Sequence, residues 1–121
     1  MSAYGHISSM CTLKSAKNST EIMLVSFIIP SYNSAHTVKR CLDSIYALSL
    51  KQEEFEVIVI DDCSTDETVS IIEDWRLKKD NLTLLKQSEN HRQGAARNRG
   101  VFLAKGDYIC FVDADDAVRR A

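Results

Sequence analysis

Two carboxylate clusters and one run of arginines stand out by residue type and spacing. Asp113-Ala114-Asp115-Asp116 follows an apolar stretch. If the chain stays extended past Val112, side chains two apart point the same way, so Asp113 and Asp115 share a face. Carboxylates held that close repel, and each titrates upward unless something positive sits between them. A hard divalent cation meets that need. Mg2+ or Mn2+ binds through one or two carboxylates and completes its shell with water and phosphate oxygens. It would also neutralise a leaving diphosphate as a Lewis acid. The same string can serve as a solvated acidic turn with Asp115 or Asp116 capping a helix, and taken alone it does not choose between these uses.

Asp61-Asp62-Cys63-Ser64-Thr65-Asp66 follows a second apolar stretch. An acidic residue after a strand can accept hydrogen bonds from a ribose or a base. Ser64 and Asp66 are explained by helix capping, because Ser64 with Glu67 has the capping-box form. Asp61 and Asp62 are not so explained, and one is expected to face a cleft while the other makes local backbone bonds. Tyr32 follows the first apolar run, where its ring could stack on a nucleobase or simply pack in a turn. Arg92, Arg97 and Arg99 surround a helix start, where free N–H groups and the dipole favour an anion such as a diphosphate. The bland alternative is a small-residue helix with its arginines in solvent.

These residues need elements to position them, and the chain alternates strand with helix from Leu24 onward. Leu24 to Ile29 is an apolar run of strand length closed by Pro30, which cannot donate to a ladder. Asn33 or Ser34 then caps a helix with Val38, Cys41, Leu42, Ile45 and Leu48 at helical spacing. Phe55 to Ile60 is the second strand. A helix with Val69, Ile72 and Trp75 on one side follows. Leu82 to Lys86 is the third strand, and Gly94 to Lys105 is a helix stopped by Gly106 in a left-handed conformation. Asp107 to Val112 is the fourth strand. The fold class is therefore α/β: a Rossmann-like, mostly parallel sheet with helices on both faces. Ligands of such sheets bind beyond the carboxyl ends of the strands, where the polar clusters fall.

Composition bounds the rest. At 121 residues, 45% hydrophobic and 26% charged, the chain is an ordinary globular one with room for one domain. A net charge of −2 gives no general attraction for nucleic acid, which is not expected as a partner. Cys11, Cys41, Cys63 and Cys110 lack metal-site spacing and are expected to be reduced thiols in a cytoplasmic protein. No apolar run approaches the roughly 20 residues of a membrane span, and no signal-peptide pattern opens the chain. Residues 1–22 are polar and without period and are expected to form a poorly ordered extension, with Met23 an alternative start.

The motifs Val25 to Asn33, Val57 to Asp66, Gly94 to Asn98 and Tyr108 to Asp116 occur together, in order, across most of residues 24–116. In this the chain resembles the family 2 glycosyltransferases. Cys63 departs from the pattern, which usually has glycine there, a small change unless that residue needs positive φ. The resemblance implies a GT-A-type nucleotide-diphospho-sugar transferase fold, truncated after the fourth strand, with residues 23–121 as its donor-binding half. It implies inverting hexosyl transfer from a nucleotide-diphosphate sugar, UDP-linked in many members, to an acceptor hydroxyl, assisted by Mn2+ or Mg2+. Carried over by position, Pro30 and Tyr32 border the base, and Asn33, Asp61 and Asp62 belong to the donor site, with Asp62 on the base edge. Arg97 lies by the base and diphosphate, Asp113 belongs to the ribose, and Asp115 and Asp116 belong to the metal.

An inverting transfer needs a general base. The family draws it from a later segment, so no catalytic residue is nominated and the base is expected beyond Ala121. The acceptor is an unidentified saccharide or lipid-linked one, and the family's setting in cell-surface polysaccharide assembly allows peripheral membrane association. The competing reading is a catalytically incomplete nucleotide-binding or interaction module. A phospho-acceptor receiver domain is disfavoured, since it needs its acidic pair after the first strand, which here ends in Pro-Ser-Tyr-Asn.

Overall fold

The computed structural model describes residues 11–13, 24–89 and 92–115. Its elements run β1 (Cys11–Leu13), β2 (Val25–Ser31), α1 (Val38–Tyr46), a 3-10 turn (Gln52–Glu54), β3 (Phe55–Asp61), α2 (Thr68–Lys78), β4 (Leu82–Lys86), α3 (Arg92–Leu103) and β5 (Tyr108–Phe111). They form a sheet of order β1-β5-β2-β3-β4. β5, β2, β3 and β4 are parallel, and β1 runs antiparallel on β5. The expected mostly parallel sheet with helices on both faces is thus present.

Period-two burial divides the core. Val25, Phe27, Ile29, Val57 and Val59 pack with Val38, Cys41, Leu42 and Ile45 of α1 and Ile72 of α2. Ile28, Ile58 and Ile60 point to the opposite face, against Ala96 of α3. All five apolar positions read for the first helix are buried, from Val38 to Leu48. Between β2 and β5 the strand order reverses, because β2 leads through α1 to β3 on one side while β5 returns on the other. That reversal opens a crevice at the strands' carboxyl ends.

Several boundaries differ from expectation, each for a physical reason. β2 continues through Pro30 to Ser31, which pair with Ile60 and Asp61. The Ile28 carbonyl accepts from Val112 N–H and the Ser31 carbonyl from Asp62 N–H, so Pro30 turns toward the side where β5 has ended and its missing N–H breaks no ladder bond. Neither Asn33 nor Ser34 caps α1: its N-cap is Thr37, without a side-chain cap bond. α2 opens at Thr68 with Glu67 as N-cap, so the Ser64–Glu67 capping box is not formed.

α3 ends at Leu103, and no glycine among the described residues has positive φ, so Gly106 is not a left-handed stop. Gly106 is needed for close approach instead, since a Cβ there would lie 2.8 Å from Ser26 N and 2.9 Å from Leu24 O. Within the extension expected to be poorly ordered, residues 11–13 form β1, and the remainder lies outside the described residues. A strand this short pairs through its backbone and carries no apolar period to read. Cys41 and Cys63 are free thiols, but Cys110 is disulfide-bonded, which corrects the expectation of reduced cysteines throughout. The register sets Cys11 opposite Cys110.

Candidate functional site

At the carboxyl ends of β2, β3 and β5, loops meet through side-chain bonds. Asp61, 1% exposed, closes β3. Its Oδ1 accepts from Ser31 Oγ at 2.8 Å and Ser64 Oγ at 2.6 Å, and its Oδ2 accepts from Ser64 N–H at 2.9 Å. A carboxylate held this way organises the loop. Asp62 is also buried; its N–H bonds Ser31 O, and its Oδ1 accepts from Gln87 Nε2 at 2.8 Å. The expected division between a cleft carboxylate and a local one is therefore replaced by two carboxylates held by protein groups.

The loop after β2 is stapled to the loop after β3. Asn33 N–H donates to Ser64 Oγ at 2.9 Å, and Asn33 Oδ1 accepts from Thr65 N–H at 2.8 Å. Asn33 has φ 46° and Cys63 has φ 65°. Asparagine tolerates this left-handed conformation, whereas cysteine adopts it at a cost. Asp66 accepts from Thr68 N–H at 3.0 Å and from Ala35 N–H at 3.2 Å, and from the Thr68 hydroxyl. Desolvation pushes the Asp66 carboxyl up, but these hydrogen bonds outweigh it and hold the group below the ordinary carboxylate range. Asp66 thus serves the start of α2, as expected, and also the neighbouring loop. Tyr32 stands at the tip, 48% exposed, with its ring available for stacking.

After β5 the chain turns at Ala114 and Asp115, and Ala114 is buried in the core. Asp113 and Asp115 consequently do not share a face. Asp113 Oδ1 lies 3.6 Å from Arg97 Nη2 of α3, whose guanidinium also lies 6.0 Å from the Phe111 ring centroid. Asp115 Oδ1 instead accepts from Thr37 Oγ1 at 3.0 Å, and its carbonyl accepts from Arg40 Nη2 at 3.0 Å. The Arg97–Asp113 pair is roughly half exposed on each side, so it contributes under about 1 kcal/mol and can be exchanged for a ligand.

The strands bring Tyr32, Asp62, Arg97, Asp113 and Asp115 to one edge of the sheet. Pro30 is buried within β2, and Asn33 ties the loop after β2 to the loop after β3. Asp61 joins the ends of β2 and β3 to the loop at Ser64. Asp116 lies outside the described residues. Ser31, Gln87, Thr37 and Arg40 were missed. Their partners are 25 to 78 positions away in the chain, so no local pattern marks them.

No group of three or more His, Cys, Asp or Glu side chains poised for a metal occurs among the described residues. The exposed Asp115 carboxylate, taking one hydrogen bond from Thr37, fits an ion of the Mg2+ type, which keeps water and substrate phosphate oxygens in its shell. It fits a metal that arrives with a diphosphate better than a permanently caged one.

A doubly wound α/β sheet with an exposed aromatic ring, an arginine and an acidic turn at its switch point is the geometry of a nucleotide-binding unit. Residues 26–121 match the family model described as glycosyl transferase family 2, and the chain belongs to that family. It is 38% identical over 97 residues to a poly(ribitol-phosphate) beta-glucosyltransferase of Bacillus spizizenii, covering 79% of this chain and 15% of that protein. It is 35% identical over 99 residues to the poly(ribitol-phosphate) beta-N-acetylglucosaminyltransferase TarS of Staphylococcus aureus, covering 82% and 17%. The solved structure of TarS residues 1–349 with UDP superimposes with a TM-score of 0.74 at 40% identity, over 78% of this chain and 28% of that one. A mannosyltransferase from Pyrobaculum calidifontis, solved with GDP-Man and Mn2+, gives a TM-score of 0.75 at 30% identity, over 88% and 31%. The sheet is of the GT-A type. The chain spans less than a fifth of the length of these two sequence relatives.

Proposed function

We propose that this unit binds a nucleotide-diphosphate sugar, UDP-linked, together with Mn2+ or Mg2+, and serves transfer of the sugar to an acceptor hydroxyl with inversion. The observation that carries the reading is the exposed Asp115 carboxylate on the same sheet edge as the Arg97–Asp113 pair and the Tyr32 ring. The UDP complex of TarS and the Mn2+ complex of the mannosyltransferase support it. The β linkage in the names of the relatives is what inversion of an α-linked donor produces.

In this reading Tyr32 stacks on the base. Asp62, oriented by Gln87, meets the base edge. Arg97 leaves Asp113 to lie along the diphosphate, which frees Asp113 for the ribose. Asp115, with Asp116 beyond the described residues, holds the metal, which when bound supplies Lewis-acid stabilisation of the leaving diphosphate. Inversion requires a general base on the acceptor side, and none of the residues at this edge takes that role.

Titration calorimetry with UDP tests the reading. Saturable binding that tightens on adding Mn2+ is expected, with UDP bound more tightly than GDP. Asp115→Ala should abolish the metal-dependent gain and leave the circular dichroism spectrum intact. A folded chain that binds no UDP in the presence of Mn2+ overturns the proposal.

A further inference from the structure

Thr37 occupies the N-cap of α1 at φ −126°, ψ −22°, yet makes no cap hydrogen bond with its side chain. A threonine there ordinarily turns its oxygen onto the free amides of the first turn. Instead the Thr37 hydroxyl donates to Asp115 Oδ1 at 3.0 Å, with the Ser34 carbonyl farther off at 3.4 Å. A hydroxyl has one proton, and the shorter, charge-assisted contact takes it. One turn on, Arg40 Nη2 donates to the Asp115 carbonyl at 3.0 Å, and Cys41 Sγ donates to the Asp113 carbonyl at 3.5 Å. Positions 37, 40 and 41 have the i, i+3, i+4 spacing of a single helix face. That face grips the acidic turn by one carboxylate oxygen and two backbone carbonyls, across 72 to 78 residues of chain.

We infer that Thr37 and Arg40 are positioning residues, holding the Asp113–Asp115 turn so that the Asp115 carboxylate is oriented before its ligand arrives. The role of this contact in metal and diphosphate binding rests on the function proposed above; the grip on the turn does not. Arg40 bonds the Asp115 carbonyl and not its carboxylate. Thr37 occupies one carboxylate oxygen. A turn ordered in advance spares the ligand the entropy of ordering it. The helix cap does not explain Thr37, because the side chain does not cap.

The test compares Thr37→Val, which keeps the branched shape and loses the donor, with Thr37→Ser, which keeps the hydroxyl, and with Arg40→Met. UDP affinity is measured with and without Mn2+, and amide hydrogen exchange is followed in each chain. Thr37→Val should weaken Mn2+-dependent UDP binding about tenfold, as loss of a hydrogen bond to a charged group implies, and leave metal-free UDP binding unchanged. Thr37→Ser should restore it. In Thr37→Val and Arg40→Met, amides 113–115 should exchange faster while those of β3 keep their wild-type protection. Equal weakening with and without metal, or wild-type affinity in Thr37→Val, overturns the positioning role in binding. Unchanged exchange at 113–115 overturns the grip itself. If wild-type chain binds no UDP with Mn2+, the proposed function fails, and exchange still decides whether Thr37 and Arg40 hold the turn.

Discussion

Ser31 Oγ donates to Asp61 Oδ1 at 2.8 Å, tying the last residues of β2 and β3, which are also register partners. With both Ser64 bonds added, the buried carboxylate becomes the knot from which two site loops leave the sheet. Asp61→Ala leaves two hydroxyls and an amide without their acceptor and should destabilise the fold by about 2 to 3 kcal/mol. Urea unfolding measures this. A loss under about 0.5 kcal/mol, the range of unremarkable surface changes, would contradict the assignment.

Cys63 sits at φ 65° where the family pattern has glycine, so the condition under which that departure matters is met. A left-handed non-glycine residue costs on the order of 1 to 3 kcal/mol, and glycine gives back part of the gain through its looser unfolded chain. Cys63→Gly should therefore stabilise the fold by about 1 kcal/mol, read as a higher urea midpoint at constant m-value. A lower midpoint would show that the contact of Cys63 Sγ with Ser88 O at 3.7 Å outweighs the backbone strain.

Asp66 makes stability depend on acid. Its carboxyl is held below its ordinary value by bonds from Thr68 and Ala35 that outweigh desolvation. A group depressed on folding contributes stability that is present above its unfolded value, about 3.9, and lost as pH falls through the folded one. The stability gap between wild type and Asp66→Asn should be constant near neutrality and shrink below about pH 4. Urea midpoints at pH 7, 5, 4 and 3 check it, and a gap that stays constant throughout speaks against the assigned bonds.

Gly106 and Gly100 separate two kinds of close approach. A Cβ on Gly106 would press on backbone of Leu24 and Ser26, which cannot move without shifting β2, while one on Gly100 would press on the side chain of Ile28. Gly100→Ala should cost about 1 to 3 kcal/mol, the usual range for overpacking. Gly106→Ala should cost more. Thermal unfolding of both variants ranks them, and the reverse order would place the tighter constraint under α3 instead of at the entrance to β5.

The legible features were those written in local pattern. The apolar runs around Phe27 and Val59 and the helical spacing from Val38 to Ile45 announced a doubly wound sheet, and these residues are indeed buried. The acidic strings after β3 and β5, Tyr32 and Arg97 were legible by type and by their likeness to one family. Local pattern misled where a partner lay far away. Ser64 fits a capping box on paper, but its hydroxyl is taken by Asp61 and it receives the amide of Asn33. β1 was invisible because its pairing with β5 is a matter of backbone.

The sequence by itself determined the four parallel strands, the three helices between them and the sheet class, and it marked the acidic strings, Tyr32 and Arg97 at the carboxyl edge, since burial period and residue chemistry are local properties. Only the tertiary structure decided which carboxylates are spent and which are offered. Asp61 is consumed by Ser31 and Ser64, whereas Asp115 is presented under the hold of Thr37 and Arg40. That division depends on hydrogen-bond donors brought in from distant parts of the chain, and a donor's position in space is a property of the folded sheet.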